Sequence, residues 1–285
     1  MNAFEEHRSY LFAIAYRMLG SVSEAEDMVQ EAFLRFQQVN VAEVESPRSY
    51  LSTIVTRLCL DYLKSARVQR EQYVGPWLPE PLLVSSEGEP AKITETLDSI
   101  SFAFLVLLEK LTPNERAVFL LREVFNYDYD EIAAIINKET ATCRQYFSRA
   151  RKHLTDNRPR FEIQKETHSE IMMQFLEACR TGDLDQLEQL LAEDVVAFSD
   201  GGGKVGAATR PIFGRSRVAR FWIGIAKQAP ENFTAEMVFI NGEQGLIGRI
   251  NDEIVFALVM EIQDGHIQNF WTVLNPDKLK HLTKG

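Results

Sequence analysis

The spacing of apolar residues changes once along this chain, and the change separates a helical part from a part built on strands. From Phe4 to Leu19 apolar positions recur at helical spacing, and Gly20 stands where a left-handed residue ends such a helix. Ser23 followed by Glu26 predicts a capping box for a second helix, whose inner side carries Ala25, Met28, Val29, Ala32, Phe33 and Phe36. Its outer side carries Glu24, Asp27, Gln30, Glu31 and Arg35. Ser46-Pro47 starts a third helix, proline suiting the first helical position, with an inner stripe of Leu51, Ile54, Val55, Leu58 and Tyr62. Pro76, Pro79, Pro81 and Pro90, with Gly75 and Gly88, make 72–90 an extended linker. A helix over about 91–110 follows, and Thr112-Pro113-Asn114-Glu115 opens the next with a cap, a first-turn proline and a box glutamate.

The clearest pattern lies between Asn126 and Leu154. Asp128 and Glu131 form a capping box, Ile132, Ala133, Ile135 and Ile136 give a short helix its buried side, and Asn137-Lys138-Glu139 makes a turn. Thr140 is positioned to cap a second helix, in which Cys143, Phe147, Ala150 and Leu154 make one apolar stripe. This is the spacing of a helix-turn-helix.

Beyond residue 160 the pattern predicts two helices over 168–191, parted at Thr181-Gly182-Asp183. Strand-like runs come next, at 195–199 and 205–210, then a helix near 215–228. Further runs at 233–240, 245–250, 253–262 and 266–274 are joined by Asn241-Gly242, Asn251-Asp252 and Asp264-Gly265, which are strong hairpin signals. Helices followed by a curved antiparallel sheet predict an α+β cone with an internal pocket.

At 285 residues, 45% apolar and 25% charged, the chain is an ordinary globular one with room for two or three domains. No apolar run approaches bilayer length and the N-terminus lacks a signal-peptide profile, so the sequence predicts a cytoplasmic protein without a membrane partner. Cys59, Cys143 and Cys179 sit in apolar stripes, which predicts reduced core residues. The five histidines show no paired spacing, and no metal site is expected.

Charge changes the picture more. Between Thr140 and Arg160 there are six Lys or Arg residues against one acid, Asp156. Arg144, Gln145, Ser148, Arg149 and Lys152 fall opposite the apolar stripe. Arg and Gln read base edges with paired hydrogen bonds, while Lys and Ser suit phosphates. A solvated face of a plain helical bundle is the alternative. In the third helix Arg48, Arg57, Lys64, Arg67 and Arg70 interleave with Tyr50 and Tyr62, a mixture that suits single-stranded DNA and equally an ordinary surface helix. The net charge of −10 repels phosphate. Either the chain does not bind DNA, or it binds alongside a partner that supplies most backbone contacts. The clustering of basic residues favours the second.

Two short segments remain. Trp77-Leu78-Pro79-Glu80-Pro81 places a large aromatic in a tether, as a residue tucked on a neighbouring helix or as a docking peg for another part of the chain. Asp200-Gly201-Gly202-Gly203-Lys204 is either a plain loop or a close backbone approach to a partner, with Lys204 positioned to meet Glu80.

The stretch 25–38 followed by 46–71 resembles region 2 of an extracytoplasmic-function (ECF) sigma factor, and 111–154 resembles region 4 of the same family. The C-terminal part resembles the SnoaL-like branch of the cone fold shared with nuclear transport factor 2 and ketosteroid isomerase. With the WLPEP, DGGGK and NPDKL (275–279) motifs, the whole chain resembles the group-41 ECF sigma factors. The resemblance implies two all-α sigma domains (1–71 and 91–160), a linker (72–90) and a C-terminal α+β domain (161–285). Its implied partners are core RNA polymerase, through the β′ clamp and β flap, and promoter DNA. Asp27, Gln30, Glu31 and Arg35 would face the polymerase. The loop 39–45 and the helix after it would open the −10 element, with Arg48, Tyr50, Arg57 and Lys64 on DNA and Arg57 facing the captured base. Arg144, Gln145, Ser148, Arg149 and Lys152 would read the −35 element. Trp77, Pro79 and Glu80, the Asp200–Lys204 loop, and Asn275, Pro276 and Asp277 would form a regulatory contact between linker and extension.

Two other classes stay open on the residues. One is a ligand-responsive helix-turn-helix regulator acting without polymerase. The other is a cone-fold enzyme, for which Asp200, Asp264 and His266 are the acid–base candidates. Asp200 lies in a glycine loop and the other two in a hairpin turn, so the sequence predicts no catalytic site. Phe198, Phe213, Phe221, Trp222, Phe239, Phe256, Phe270 and Trp271 either line a ligand pocket or fill a core. No cofactor is expected.

Overall fold

Three long helices open the chain: α1 (Asn2–Leu19), α2 (Val22–Gln37) and α3 (Pro47–Glu71). The computed structural model describes residues 2–40, 44–83, 101–155 and 165–284. The expected helix over 91–110 is therefore described only from residue 102, and parts of the expected 39–45 loop and 72–90 linker lie outside. So do the side chains of Arg67 and Arg70.

Gly20 ends α1 with φ +67°, as its position suggested. The cap of α2 differs from expectation: Ser21, not Ser23, accepts the Glu24 amide at 3.2 Å, so the box of Ser23 with Glu26 does not form. Two serines two residues apart offer the same local signal, and the chain's exit from Gly20 selects the earlier one. The inner stripe of α3 is also rotated from the expected one. Leu51, Val55, Cys59, Leu60 and Leu63 are buried, whereas Leu58 and Tyr62 are only partly covered.

Helices α4 (Phe102–Leu108) and α5 (Pro113–Phe119) follow, then a π-helical segment (Leu120–Val124), α6 (Tyr129–Ile136) and α7 (Thr140–Thr155). Thr112 and Glu115 make the predicted capping box. Two compact units result. One holds the described residues up to Gln72 with those of 104–155; the other holds 73–83, 101–103 and 165–284.

In the second unit α8 (Lys165–Thr181) and α9 (Leu184–Leu190) precede β1 (Leu191–Asp200), β2 (Ile212–Phe213) and α10 (Arg215–Lys227). Strands β3 (Phe233–Ile240), β4 (Glu243–Ile250), β5 (Glu253–Gln263) and β6 (His266–Val273) follow, then α11 (Pro276–Leu279) and a 3-10 helix (Lys280–Lys284). All three predicted hairpin turns carry positive φ at both central residues. The sheet order is β2-β1-β6-β5-β4-β3.

Two expectations fail here. The sheet is mixed, because β1 runs parallel to β6. The run 205–210 is a loop, and the pairing falls to Ile212 and Phe213 instead. Strands β1 and β6 are separated by β2, α10 and three further strands, so no hairpin turn joins them and local turn signals do not reveal their relative direction.

Alternation along the strands gives the sheet two used faces. One carries Leu246, Leu258, Met260 and Phe270 against Phe175, Leu187, Val218 and Trp222 of the helices. The other carries Trp271, whose ring lies 6.2 Å from that of Phe102. This is the expected α+β cone, filled on its helix side.

Candidate nucleic-acid interface and linker contact

The helix-turn-helix is built as its caps predict. Asp128 accepts the amides of Asp130 and Glu131 at 2.9 and 2.8 Å, and Glu131 accepts the Asp128 amide at 2.8 Å. Helix α6 ends at Asn137, φ +54°, a left-handed conformation that Asn tolerates and that glycine often supplies. Thr140 does not cap α7. It is the first helical residue, and its hydroxyl donates to Asp130 at 2.7 Å, tying the two helices together.

On α7 Cys143, Ala150 and Leu154 are buried, and Phe147 stacks on Phe119 with centroids 6.0 Å apart. That side being committed, Arg144, Gln145, Ser148, Arg149 and Lys152 are all exposed on the other. They form one polar face of a two-and-a-half-turn span, the geometry that reads a major groove.

On α2, Asp27, Gln30 and Arg35 are exposed and Glu31 partly so, with Arg35 donating to Glu31 at 2.8 Å. The α3 candidates are placed quite differently from one another. Lys64 pairs with Asp61 at 2.7 Å, and Tyr50 is exposed beside Phe36. Arg57 is exposed yet engaged, donating through Nε to the Ile135 carbonyl at 2.7 Å and through Nη2 to that of Ala134 at 2.8 Å. Those carbonyls lie in the last turn of α6, where their helical partners run out and the helix dipole favours a cation.

Arg48 lies over the Tyr10 ring, 4.0 Å from its centroid. Tyr10 donates to Tyr127 at 3.3 Å, Tyr127 to Ser52 at 2.9 Å, and Ser52 to the Arg48 carbonyl at 2.7 Å. Burial first, then the Tyr127 hydroxyl, raises the Tyr10 pKa. Arg116 completes the packing, donating to the Met18 carbonyl at 2.7 Å and pairing with Glu109 at 2.6 Å. Nothing in the local pattern points to Tyr10, Tyr127 or Arg116 in this role. Each is a polar residue inside an apolar pattern, which signals burial but not a partner.

The second unit contains the contact among the three short motifs. Asp200 is fully buried and its carboxylate takes three donors, Tyr73 Oη at 2.5 Å, the Leu78 amide at 2.8 Å and Lys278 Nζ at 2.7 Å. Lys278 also donates to the Leu78 carbonyl and lies 4.0 Å from the Trp77 ring centroid. Asn275 donates to Tyr73 at 2.8 Å, and its amide and that of Leu274 reach the Asp200 carbonyl, each at 2.8 Å. A Cβ on Gly202, at φ +58°, would collide with Asn275 and Tyr73, and one on Gly201 with Val205 and Ala207. Pro79 and Glu80 are buried as well.

One pairing is corrected. Lys204 bonds to Asp277, not to Glu80. Pro276 starts α11 with Asn275 as its cap, which brings Asp277 to the loop. Burial, followed by the Asp200 bond, raises the Tyr73 pKa. The segment continues onto the β3 edge, with Leu82 and Asn241 exchanging bonds of 3.1 and 2.8 Å. Sequence reading missed Tyr73 and Lys278. Lys278 stands inside NPDKL, but a buried lysine is rare enough that exposure was the natural reading.

Inside the cone, Phe175, Trp222 and Phe270 pack with ring centroids 5.1 to 5.3 Å apart. Asp264 and His266 are exposed at their turn. Among the described residues there is no cluster of three or more metal-ligating side chains, and no helix long and apolar enough to cross a membrane.

Residues 3–68 match the Sigma-70 region 2 family and 101–154 the Sigma-70, region 4 family. The ECF RNA polymerase sigma factor SigJ of Mycobacterium tuberculosis is 34% identical over 289 residues, covering 98% of this chain and 92% of that protein. The probable ECF sigma factor SigI of the same species is 33% identical over 282 residues, covering 98% and 94%. The crystal structure of SigJ superposes with a TM-score of 0.79 at 31% identity, covering 97% of each chain. The chain therefore belongs to the ECF sigma factors of RNA polymerase, which initiate transcription and are not enzymes.

Proposed function

We propose that the free protein is held closed, with its −10-reading helix engaged on its own helix-turn-helix, and that polymerase and promoter open it. The observation that carries this is Arg57. The side chain that would face a captured base instead caps α6 at the Ala134 and Ile135 carbonyls. Arg48 is likewise drawn to Tyr10. In the open form Asp27, Gln30, Glu31 and Arg35 dock on the β′ clamp, and Arg48, Tyr50, Arg57 and Lys64 act on the −10 element. Arg144, Gln145, Ser148, Arg149 and Lys152 read the −35 element while region 4 rests on the β flap.

The C-terminal domain acts in cis through the Asp200–Lys278 contact, which fixes the linker on the cone. Regulation of this kind requires neither turnover nor a ligand in the cone, whose helix side is filled by Phe175, Trp222 and Phe270. The domain limits 1–71, 72–90, 91–160 and 161–285 belong to the same proposal, with 73–83 working as part of the extension.

Run-off transcription with core polymerase tests the surfaces. Arg144→Ala and Arg149→Ala should each lose about 1–3 kcal/mol of −35 discrimination without loss of fold. A pair of fluorescent labels on α2 and α7 tests closure, and the distance should grow when core polymerase is added. An unchanged distance refutes the closed form. Equal activity of full-length and 1–160 chains refutes control in cis.

A further inference from the structure

The packing of α3 on α6 leaves an open cleft that is basic in a chain of acidic total. Its walls are Arg57, Leu60, Asp61, Lys64, Asn114, Ile136, Asn137 and Lys138, around a volume of about 370 Å³. The chain as a whole carries a formal charge of −10, yet this cleft gathers three cations against one carboxylate. Asp61 is engaged with Lys64 at 2.7 Å. Arg57 spends two donors on the α6 carbonyls, which leaves most of its guanidinium uncommitted. Asn114 and Asn137 add amide groups, while Leu60 and Ile136 behind them are almost fully buried.

We infer that this cleft is a binding site for a diphosphate group, such as that of a nucleoside diphosphate, held among Arg57, Lys64 and Lys138. The volume falls at the small end of ligand pockets, which run from ~300 to 1,000 Å³, and suits a mononucleotide. Guanidinium and ammonium groups from different elements converge on a polyanion better than on any neutral ligand. The inference rests on the packed arrangement and adds an effector to it. Arg57 and Lys64 come from one promoter-binding region, Asn114 and Lys138 from the other, so a ligand touching all four binds only the packed form and shifts the population toward it.

Titration calorimetry of the full chain with GDP, ADP, inorganic pyrophosphate and guanosine tests the site. Saturable heat is expected for the three diphosphates and none for guanosine; pyrophosphate alone reports whether the phosphates suffice. Lys138→Glu should weaken binding at least ~tenfold, while the same charge change at the exposed Lys227 of the second unit leaves it unchanged. No saturable heat up to ~10 mM ligand, or equal weakening by both variants, overturns the site. The label distance between α2 and α7, read in the same samples, separates the failures. A packed protein that binds nothing loses the site alone, and an open one loses the packing as well.

Discussion

Two contacts hold parts of this chain in place, and they are made of different chemistry. In the second unit a fully buried carboxylate, Asp200, meets an almost fully buried ammonium, Lys278, with Tyr73, the Leu78 amide and the Trp77 ring closing around them. In the first, Arg57 of α3 reaches two neutral carbonyls at the rim of α6, part of its side chain still in water. A buried ion pair is costly to break because either charge left alone has no solvent. A half-exposed arginine on carbonyls gives up little, since water or a phosphate replaces what it leaves. The first contact suits a permanent fixture and the second suits a part that must let go.

The largest effect that would break this comparison is expected at the buried pair. Lys278→Met should destabilise the second unit by about 3–5 kcal/mol, because Asp200 is left charged and enclosed. Denaturant unfolding and proteolysis at 73–83 would report it, and adding Asp200→Asn should restore much of the loss. A change of only a few tenths would make the pair no fixture at all.

Arg57→Ala should cost about 1.5 kcal/mol in the first unit and lengthen the α2–α7 label distance without polymerase. If instead it unfolded the unit, the contact would be as permanent as the other.

A pH titration sharpens the same contrast. Burial raises the Glu243 pKa from its usual 4.5 to about 7, the nearby Glu261 adding to the shift while the Phe102 amide and Ser101 oppose it. Glu261 is itself raised by burial, Asn269 opposing. Since the folded pKa is the higher, this stabilisation is complete below pH 4.5 and disappears as pH rises through about 7. Thermal melts should therefore fall across that window, and Glu243→Gln should flatten the fall. The smallest effect belongs to Lys204→Ala. Its pair with Asp277 is about half exposed, so no more than about 0.2–1 kcal/mol is expected.

Much of this was written in local pattern. The capping boxes at Asp128 and Thr112, the left-handed end at Gly20, the hairpin turns and the two-faced α7 depend on neighbours within a few residues. Their hydrogen bonds close inside one turn of chain, so local sequence suffices to specify them. The exposed face of Arg144, Gln145, Ser148, Arg149 and Lys152 follows from the same periodicity, because burying Cys143, Ala150 and Leu154 leaves it nowhere else to point.

What the sequence left undetermined are the partners of polar residues far apart in the chain. Lys204 was paired with Glu80 and found Asp277; β1 was read as antiparallel and runs parallel to β6. Arg57 looked free and reaches residues 77 and 78 positions away. A charge is satisfied by any opposite group that folding brings near, and nothing local ranks the choices. Only tertiary packing, which decides which of them is enclosed away from water, selects one.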